Sequence, residues 1–404
     1  MTNLPQGWEV KKLGEIGEIV TGSTPSKSNL DFYGKDYPFF KPSDFEQGYF
    51  LENAGDNLSK LGFDKARQLP PKTILVVCIG SLGKVALTRV IGSCNQQINA
   101  IIPHKNIIAE YIYYYCISSK FQSILFSKAP QTTLAILNKT EFSKLEIIYP
   151  KDIKEQERIV GILDESFAKI DESIKILEQN LLNLDELMQS ALQKAFNPLK
   201  DNAKENYKLP QGWEWKSLGE IGEIITGTTP SKNNPNFYGN EYPLFKPSDL
   251  NGDMIIKYAS DNLSKLGFDN ARNLPKDTIL VVCIGSLGKV ALTRVIGSCN
   301  QQINAIIPNS AFTSKYLFFV CLSNYFQEIL KNNASQTTLP IINKTEFSKL
   351  QIPLPPIKEQ EQITSHLDEL SSHVKNLKQN YQAQIKDLQE LKNSLLDKAF
   401  KGNL

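Results

Sequence analysis

The chain has 404 residues, 41% of them hydrophobic and 22% charged, which suits two or three globular domains with sizeable cores. Its 45 Lys and Arg nearly balance 43 Asp and Glu, and the net charge of +2 excludes a protein that grips nucleic acid by electrostatics alone. The opening residues carry no apolar run behind a basic lead, and no stretch approaches the ~18 apolar residues of a membrane helix, so the protein is expected to be cytoplasmic, with no membrane partner.

In chain order, Thr21-Gly-Ser-Thr-Pro-Ser26 and Lys41-Pro-Ser-Asp44 read as loops. Ile74–Ile79, Val85–Val90 and Ile98–Ile102 read as buried strands, rich in β-branched residues and bounded by Gly, Ser or Pro. Gly80-Ser-Leu-Gly83-Lys84 lies between the first two. A phosphate loop requires G-x4-G-K-[ST], and here Val85 follows the lysine, so a tight turn is expected. Ala109–Phe126 reads as a helix, with Ile112, Cys116, Phe121 and Leu125 near one face.

A much longer helix follows. Pro150 precedes it, Glu155 and Glu157 lie where negative charge suits the helix dipole, and Asn197-Pro198 ends it. Leu163, Phe167, Ile170, Ile174, Leu177, Leu181, Leu184, Met188, Ala191 and Ala195 alternate in steps of four and three, a coiled-coil seam. Residues 198–208 are polar and read as a linker.

The chain then repeats itself. Leu4-Pro-Gln-Gly-Trp-Glu9 returns as Leu209-Pro-Gln-Gly-Trp-Glu214, and at that offset of 205 there are 76 identities in the 100 positions from Leu4 to Pro103. Thr73–Pro103 equals Thr278–Pro308 without a change. One deletion near Pro355 shifts the offset to 204, at which Lys154-Glu-Gln-Glu157 matches Lys358-Glu-Gln-Glu361. The second tail offers Ile363, Leu367, Leu370, Val374, Leu377, Tyr381, Ile385, Leu388, Leu391 and Leu395 as a less regular seam.

The expected organisation is α+β: mixed α/β domains at 1–150 and 209–355, and long helices at 151–197 and 356–404. Each helix, of about 42 residues, runs ~63 Å at ~1.5 Å per residue. Each is the other's natural partner, and because a globular domain returns the chain between them, an antiparallel, pseudo-two-fold pair is expected.

Catalytic signals are poor. The six cysteines (Cys78, Cys94, Cys116, Cys283, Cys299, Cys321) include no C-x-x-C and sit among apolar neighbours, so buried free thiols are expected. His104, His366 and His373 have Asn309, Ile162 and Lys169 as repeat counterparts, so no shared histidine chemistry is expected. No Asn-Pro-Pro-Tyr or Asp-Pro-Pro-Tyr run, glycine-rich S-adenosylmethionine loop or P-D…(D/E)-x-K cluster is present, and no cofactor or metal is expected.

Polar side chains suited to base edges and phosphates remain. Asn95-Gln-Gln-Ile-Asn99 and Gln131-Thr-Thr133 gather amides and hydroxyls, and Asn or Gln bonds adenine through two hydrogen bonds. Candidate contacts are Gln96, Gln97, Thr132 and Thr133, with Thr24, Ser26, Lys27, Lys41, Ser43, Arg67 and Lys84 toward phosphates. Their counterparts are Gln301, Gln302, Thr337 and Thr338, with Thr229, Ser231, Lys232, Lys246, Ser248, Arg272 and Lys289. The competing expectation is that Asn95 and Asn99 cap turns and Gln96 satisfies a buried network. Residues 4–150 carry 16 basic and 13 acidic groups and residues 209–355 carry 13 and 11, so neither domain binds by charge alone: either DNA is not the ligand, or a partner supplies many of the phosphate contacts.

Several short motifs recur in the same order in both halves: Leu-Pro-Gln-Gly-Trp with Leu13-Gly14 and Leu218-Gly219, Thr-Gly-x-Thr-Pro-Ser at Thr21 and Thr226, and Lys-Pro-Ser-Asp at Lys41 and Lys246. Gly-x-x-Gly-Lys at Gly80 and Gly285, Asn-Gln-Gln-Ile at Asn95 and Asn300, Gln-Thr-Thr at Gln131 and Gln336, and Ile-Lys-Glu-Gln-Glu at Ile153 and Ile357 complete the set. Over nearly its whole length the chain resembles the specificity subunits of Type I restriction-modification systems. The resemblance implies two target recognition domains, each reading half of a bipartite site in double-stranded DNA. It also implies spacer helices that dock two modification (methyltransferase) subunits, with restriction subunits joining that core, and no catalysis by the chain itself. Family members often have two strongly different recognition domains, whereas here the two are alike, so a near-palindromic target is expected. The rival readings are a specificity subunit of a Type II-like enzyme with fused methylation and cleavage, and a coiled-coil scaffold with protein-binding heads.

Overall fold

The computed structural model describes residues 4–129, 135–196, 209–252, 254–309, 312–335 and 339–404. It divides into two compact units, Met1–Leu177 with Gln382–Leu404, and Glu178–Tyr381. The residues expected to form a linker, 198–208, lie outside the described residues.

The first unit contains strands β1 (Trp8–Lys12), β2 (Gly17–Thr21), β3 (Tyr33–Phe40), β4 (Phe50–Leu51), β5 (Asp56–Leu58), β6 (Ile74–Val77), β7 (Val85–Thr88), β8 (Ser93–Cys94), β9 (Ile98–Pro103) and β10 (Glu146–Pro150). Strands β2-β9-β6-β7-β4 form one sheet, β5-β3-β8 a second, and β1 pairs antiparallel with β10. The segment Ile74-Leu-Val-Val77 is apolar at every position because both of its faces are covered. Ile74 and Val76 join the core shared with the helices, while Leu75 and Val77 join a second core with Phe40, Phe45 and Leu51.

The single helix expected over Ala109–Phe126 is two: Ala109–Ile117 and Ser119–Lys128. Ser118 breaks the run. Its backbone is extended, and its side chain accepts from the Phe121 amide at 3.3 Å, which makes it the N-cap of the next helix. Ser323 repeats the device in the second unit.

The long helices span Ile153–Phe196 and Ile357–Ala399. Each is tied to its neighbouring sheet domain by the glutamine of the Lys-Glu-Gln-Glu motif. Gln156, fully buried, accepts from the Ile108 amide at 2.9 Å and donates to Pro150 O at 2.8 Å. Gln360 does the same with Thr313 and Pro355. Within the first unit the helical stretches run antiparallel: Asp171 pairs with Lys392, and Arg158 reaches Leu404 O at 3.0 Å. In the second unit Asp185 pairs with Lys378, and Phe196 and Leu367 share one core.

The second seam departs from expectation at two positions. Leu377 and Leu391 are 40% and 45% exposed. The adjacent Lys378 and Lys392 take the seam instead, restoring steps of four and three from Val374 through Tyr381, Ile385, Leu388 and Leu395. Their stems lie along the apolar stripe while the ammonium groups bond Asp185 and Asp171, and Lys392 also sits 4.8 Å from the Phe167 ring centroid.

Candidate nucleic-acid interface

The motifs far apart in sequence gather along one end of each sheet pair. β2 runs out into the Thr-Pro-Ser loop, which is pinned at once to the neighbouring turn by Gly22 N to Ile98 O (3.0 Å) and Ser23 N to Cys94 O (2.9 Å). Gly22 is obligatory here, since a Cβ would stand 2.1 Å from Asn95 O; Gly227 meets Asn300 O at 2.3 Å.

The Asn-Gln-Gln turn is built by its first residue. Buried Asn95 accepts from the Gln97 amide at 3.1 Å and donates to Gln97 Oε1 at 2.8 Å, and Gln97 Nε2 reaches Ile79 O at 3.4 Å. Asn99, also buried, accepts from Thr21 Oγ1 at 2.6 Å. The capping expectation therefore holds for Asn95, whereas Asn99 lies within β9 and bridges Thr21 Oγ1 and Leu137 O instead of capping a turn, and Gln97 rather than Gln96 enters the internal network. Gln96 stands exposed at the tip, oriented by Thr24 Oγ1 at 2.5 Å. In the second unit Gln301 is exposed and Thr229 orients it at 2.8 Å; Asn300 and Gln302 keep the same bonds at 3.1 and 2.8 Å.

Arg67 lies beside this loop. Its guanidinium donates to Thr21 O at 2.5 Å and its amide to Ser23 Oγ, and Arg272 repeats both with Thr226 and Thr228. Lys41 follows Phe40, whose carbonyl accepts from the Asn95 amide, so the Lys-Pro-Ser-Asp loop joins the same edge. Asp44 caps it by accepting from the Lys41 amide at 2.7 Å, and Ser43 and Ser248 are exposed. Lys41 and Lys246 are ion-paired to Asp56 and Asp261. The Lys246 hydrogen bond holds the Asp261 carboxyl below the usual aspartate range, against partial burial. These acidic partners were not foreseen; the only hint is that each stands 15 residues after its lysine.

Gly80-Ser-Leu-Gly83 is a β-hairpin turn between β6 and β7, as expected, with both glycines at positive φ (83° and 91°). It abuts the Asn-Gln-Gln turn through Gln97 and the segment after Gln-Thr-Thr through Gly80 N to Ala135 O at 3.3 Å. Thr132, Thr133, Thr337 and Thr338 themselves lie outside the described residues. Ser26, Lys27, Ser231 and Lys232 are exposed on the loop tip, with Ser26 Oγ 2.7 Å from Ser28 Oγ. Lys84 reaches Glu46 at 3.4 Å, whereas Lys289 donates to Pro247 O at 3.0 Å.

Each unit thus presents exposed glutamine amide, hydroxyl, lysine and arginine groups on loops fixed by buried hydrogen bonds. Such a set can meet base edges and phosphates together. All six cysteines are buried and free; burial pushes Cys78, Cys94, Cys283 and Cys299 thiols up to about 12. Among the described residues no group of three or more metal-ligating side chains gathers.

The chain matches the Type I restriction modification DNA specificity domain family over residues 5–182 and again over 210–387. It is 25% identical over 417 aligned residues to the Type I restriction enzyme MjaIX specificity subunit of Methanocaldococcus jannaschii, covering 99% of this chain and 94% of that one. It is 37% identical over 191 residues to the HindI specificity subunit of Haemophilus influenzae, a match to 46% of this chain and 42% of that one. The fold is shared with a solved chain from work on complex assembly and conformational transition of the type I R-M system, at a TM-score of 0.82, 21% identity and full coverage of both chains. The HsdS subunit of Thermoanaerobacter tengcongensis aligns at 0.60 and 21% identity over 100% of this chain and 98% of that one. The two matched stretches span most of the sequence, and the chain belongs to the Type I restriction modification DNA specificity domain family.

Proposed function

We propose that this chain is the non-catalytic, sequence-reading subunit of a Type I restriction-modification enzyme. The observation that carries the reading is the duplication of one polar edge on two separate cores, with the threonine–glutamine and arginine–carbonyl bonds the same in both. Residues 1–150 and 209–355 act as target recognition domains on double-stranded DNA, and the partners supply catalysis.

The long helices serve as the docking surface for two modification subunits, which restriction subunits then join. What supports this is the outward apolar residue at the same place in each helix: Leu187 is 48% exposed and its counterpart Leu391 45%. No helix among the described residues is long and apolar enough to cross a membrane, and a DNA target puts the working protein in the cytoplasm.

The target is a near-palindrome interrupted by a gap, because the exposed glutamine, its orienting threonine and the flanking arginine are the same in both domains. Single-molecule sequencing of methylated DNA from a host with and without this gene tests the reading. A gene-dependent bipartite site with inverted, nearly equal halves is expected. No gene-dependent methylation sinks the function, and unrelated halves sink the palindrome.

A further inference from the structure

The two recognition edges are nearly the same in sequence, yet the differences between the domains are concentrated. Of the 24 mismatches between residues 4–103 and 209–308, nine are consecutive: every position of Phe45–Asn53 differs from Leu250–Tyr258. That segment runs alongside β7, with Phe50 paired to Leu87 and Tyr49 O accepting from the Leu87 amide. Its later part lies near Arg89, away from the recognition turn; its first residues lie at the Lys84 end of β7. There Glu46, on the short 3-10 helix Pro42–Gln47, brings a carboxylate oxygen 3.4 Å from Lys84 Nζ.

In the second unit the same place holds Asn251, and Lys289, from an identical hairpin sequence, bonds the Pro247 carbonyl instead. An uncharged carbonyl leaves the ammonium charge in place; a carboxylate cancels it. The divergent segment carries two acidic groups and no base in the first domain, but one Asp and one Lys in the second.

We propose that Glu46 is an electrostatic mask on Lys84, so that two recognition edges of nearly equal sequence preference grip the DNA backbone unequally. The second domain makes one more phosphate contact, through Lys289, than the first. This rests on the DNA-reading function proposed above and adds to it which half-site is held more tightly and why. Glu46 is a positioning residue: it acts through Lys84, not on bases.

The test uses the complete complex with its modification subunits and a duplex carrying the target, with binding measured across a salt series. Counterion release makes log K fall with log salt by about 0.9 per neutralised phosphate. Glu46→Asn and Glu46→Gln are each expected to steepen that slope by about 0.9, so that a fourfold rise in salt costs about 3-fold more affinity than in the wild type. Asn251→Glu is expected to make it shallower by about the same amount. Lys84→Ala should change the slope little in the wild type and abolish the gain in E46N, while Lys289→Ala should lower it directly. Melting curves that match the wild type confirm folding, and of the two Glu46 variants the one that passes is used. Equal slopes for wild type and the folded Glu46 variant, or equal losses for K84A and K289A, overturn the mask. A wild-type complex that binds target and scrambled duplex alike overturns the DNA-reading function itself.

Discussion

At the scale of single residues, the recognition edge depends on contacts that leave no room for change. Gly22 and Gly227 lie where a Cβ would press into the carbonyls of the adjoining turn. Gly22→Ala is therefore expected to destabilise the first unit by about 1–3 kcal/mol, the range of overpacking, and to weaken target binding. Differential scanning calorimetry with a binding assay checks it; an unshifted melting curve would contradict the close approach. The thiols give a second test. With Cys78, Cys94, Cys283 and Cys299 pushed up to about 12 by burial, none should react with iodoacetamide near pH 8 in the native protein, and all six cysteines should react in guanidinium.

Asp261 links the site to pH. Its folded pKa is depressed by Lys246, so its contribution is fully present above the unfolded aspartate pKa of ~3.9 and is lost as pH falls through the folded value. Asp261→Asn should melt lower than wild type near neutral pH, and its melting temperature should fall less on acidification from about pH 5 to about pH 3. Parallel pH profiles for the two proteins would show that the ion pair carries no such linkage.

At the scale of elements, each sheet domain is completed by the far end of a long helix within its own unit. Phe400 meets Tyr111 and Tyr115 edge-on, with ring centroids 5.4 and 5.1 Å apart, and Phe196 meets Tyr316 at 5.5 Å. Phe400→Ala is expected to cost about 3–5 kcal/mol in the first unit, because it empties a fully formed aromatic pocket. Leu391→Glu, on the exposed side of the same helix, should leave folding stability within about 0.5 kcal/mol and weaken assembly with the modification subunit. Pull-down and thermal denaturation together separate these outcomes. Assembly unchanged in L391E would argue against docking on that face.

At the scale of the whole molecule, the chain leaves the first unit after Leu177 and returns to it at Gln382, so the covalent path between the units runs through both long helices. If that path sets the spacing of the half-sites, one heptad inserted after Leu177 and another after Tyr381 adds ~10 Å of helix. The non-specific gap of the methylated site should then widen by about three base pairs at ~3.4 Å each. An active variant that keeps its original gap would rule the helices out as a ruler.

The repeat, the strands of the central hairpin, the long helices and the family motifs were legible in the sequence. Each depends on local periodicity, or on a pattern that covalent order alone displays. The Gly80 turn was legible for the same reason, because the residue after Lys84 is apolar and begins a strand. The break at Ser118 was not, since apolar residues continue on both sides and only the cap hydrogen bond reveals it. Nor was the replacement of Leu377 and Leu391 by Lys378 and Lys392 in the seam. Hydropathy ranks leucine first, but a lysine stem buries well when an aspartate on the facing helix receives its ammonium group, and that partner is about 190 to 220 residues away. The same limit hid which glutamine faces outward. Gln96 and Gln97 are neighbours of one type, and only Asn95, Ile79 and Thr24, brought together by the sheet, turn one inward and leave the other exposed.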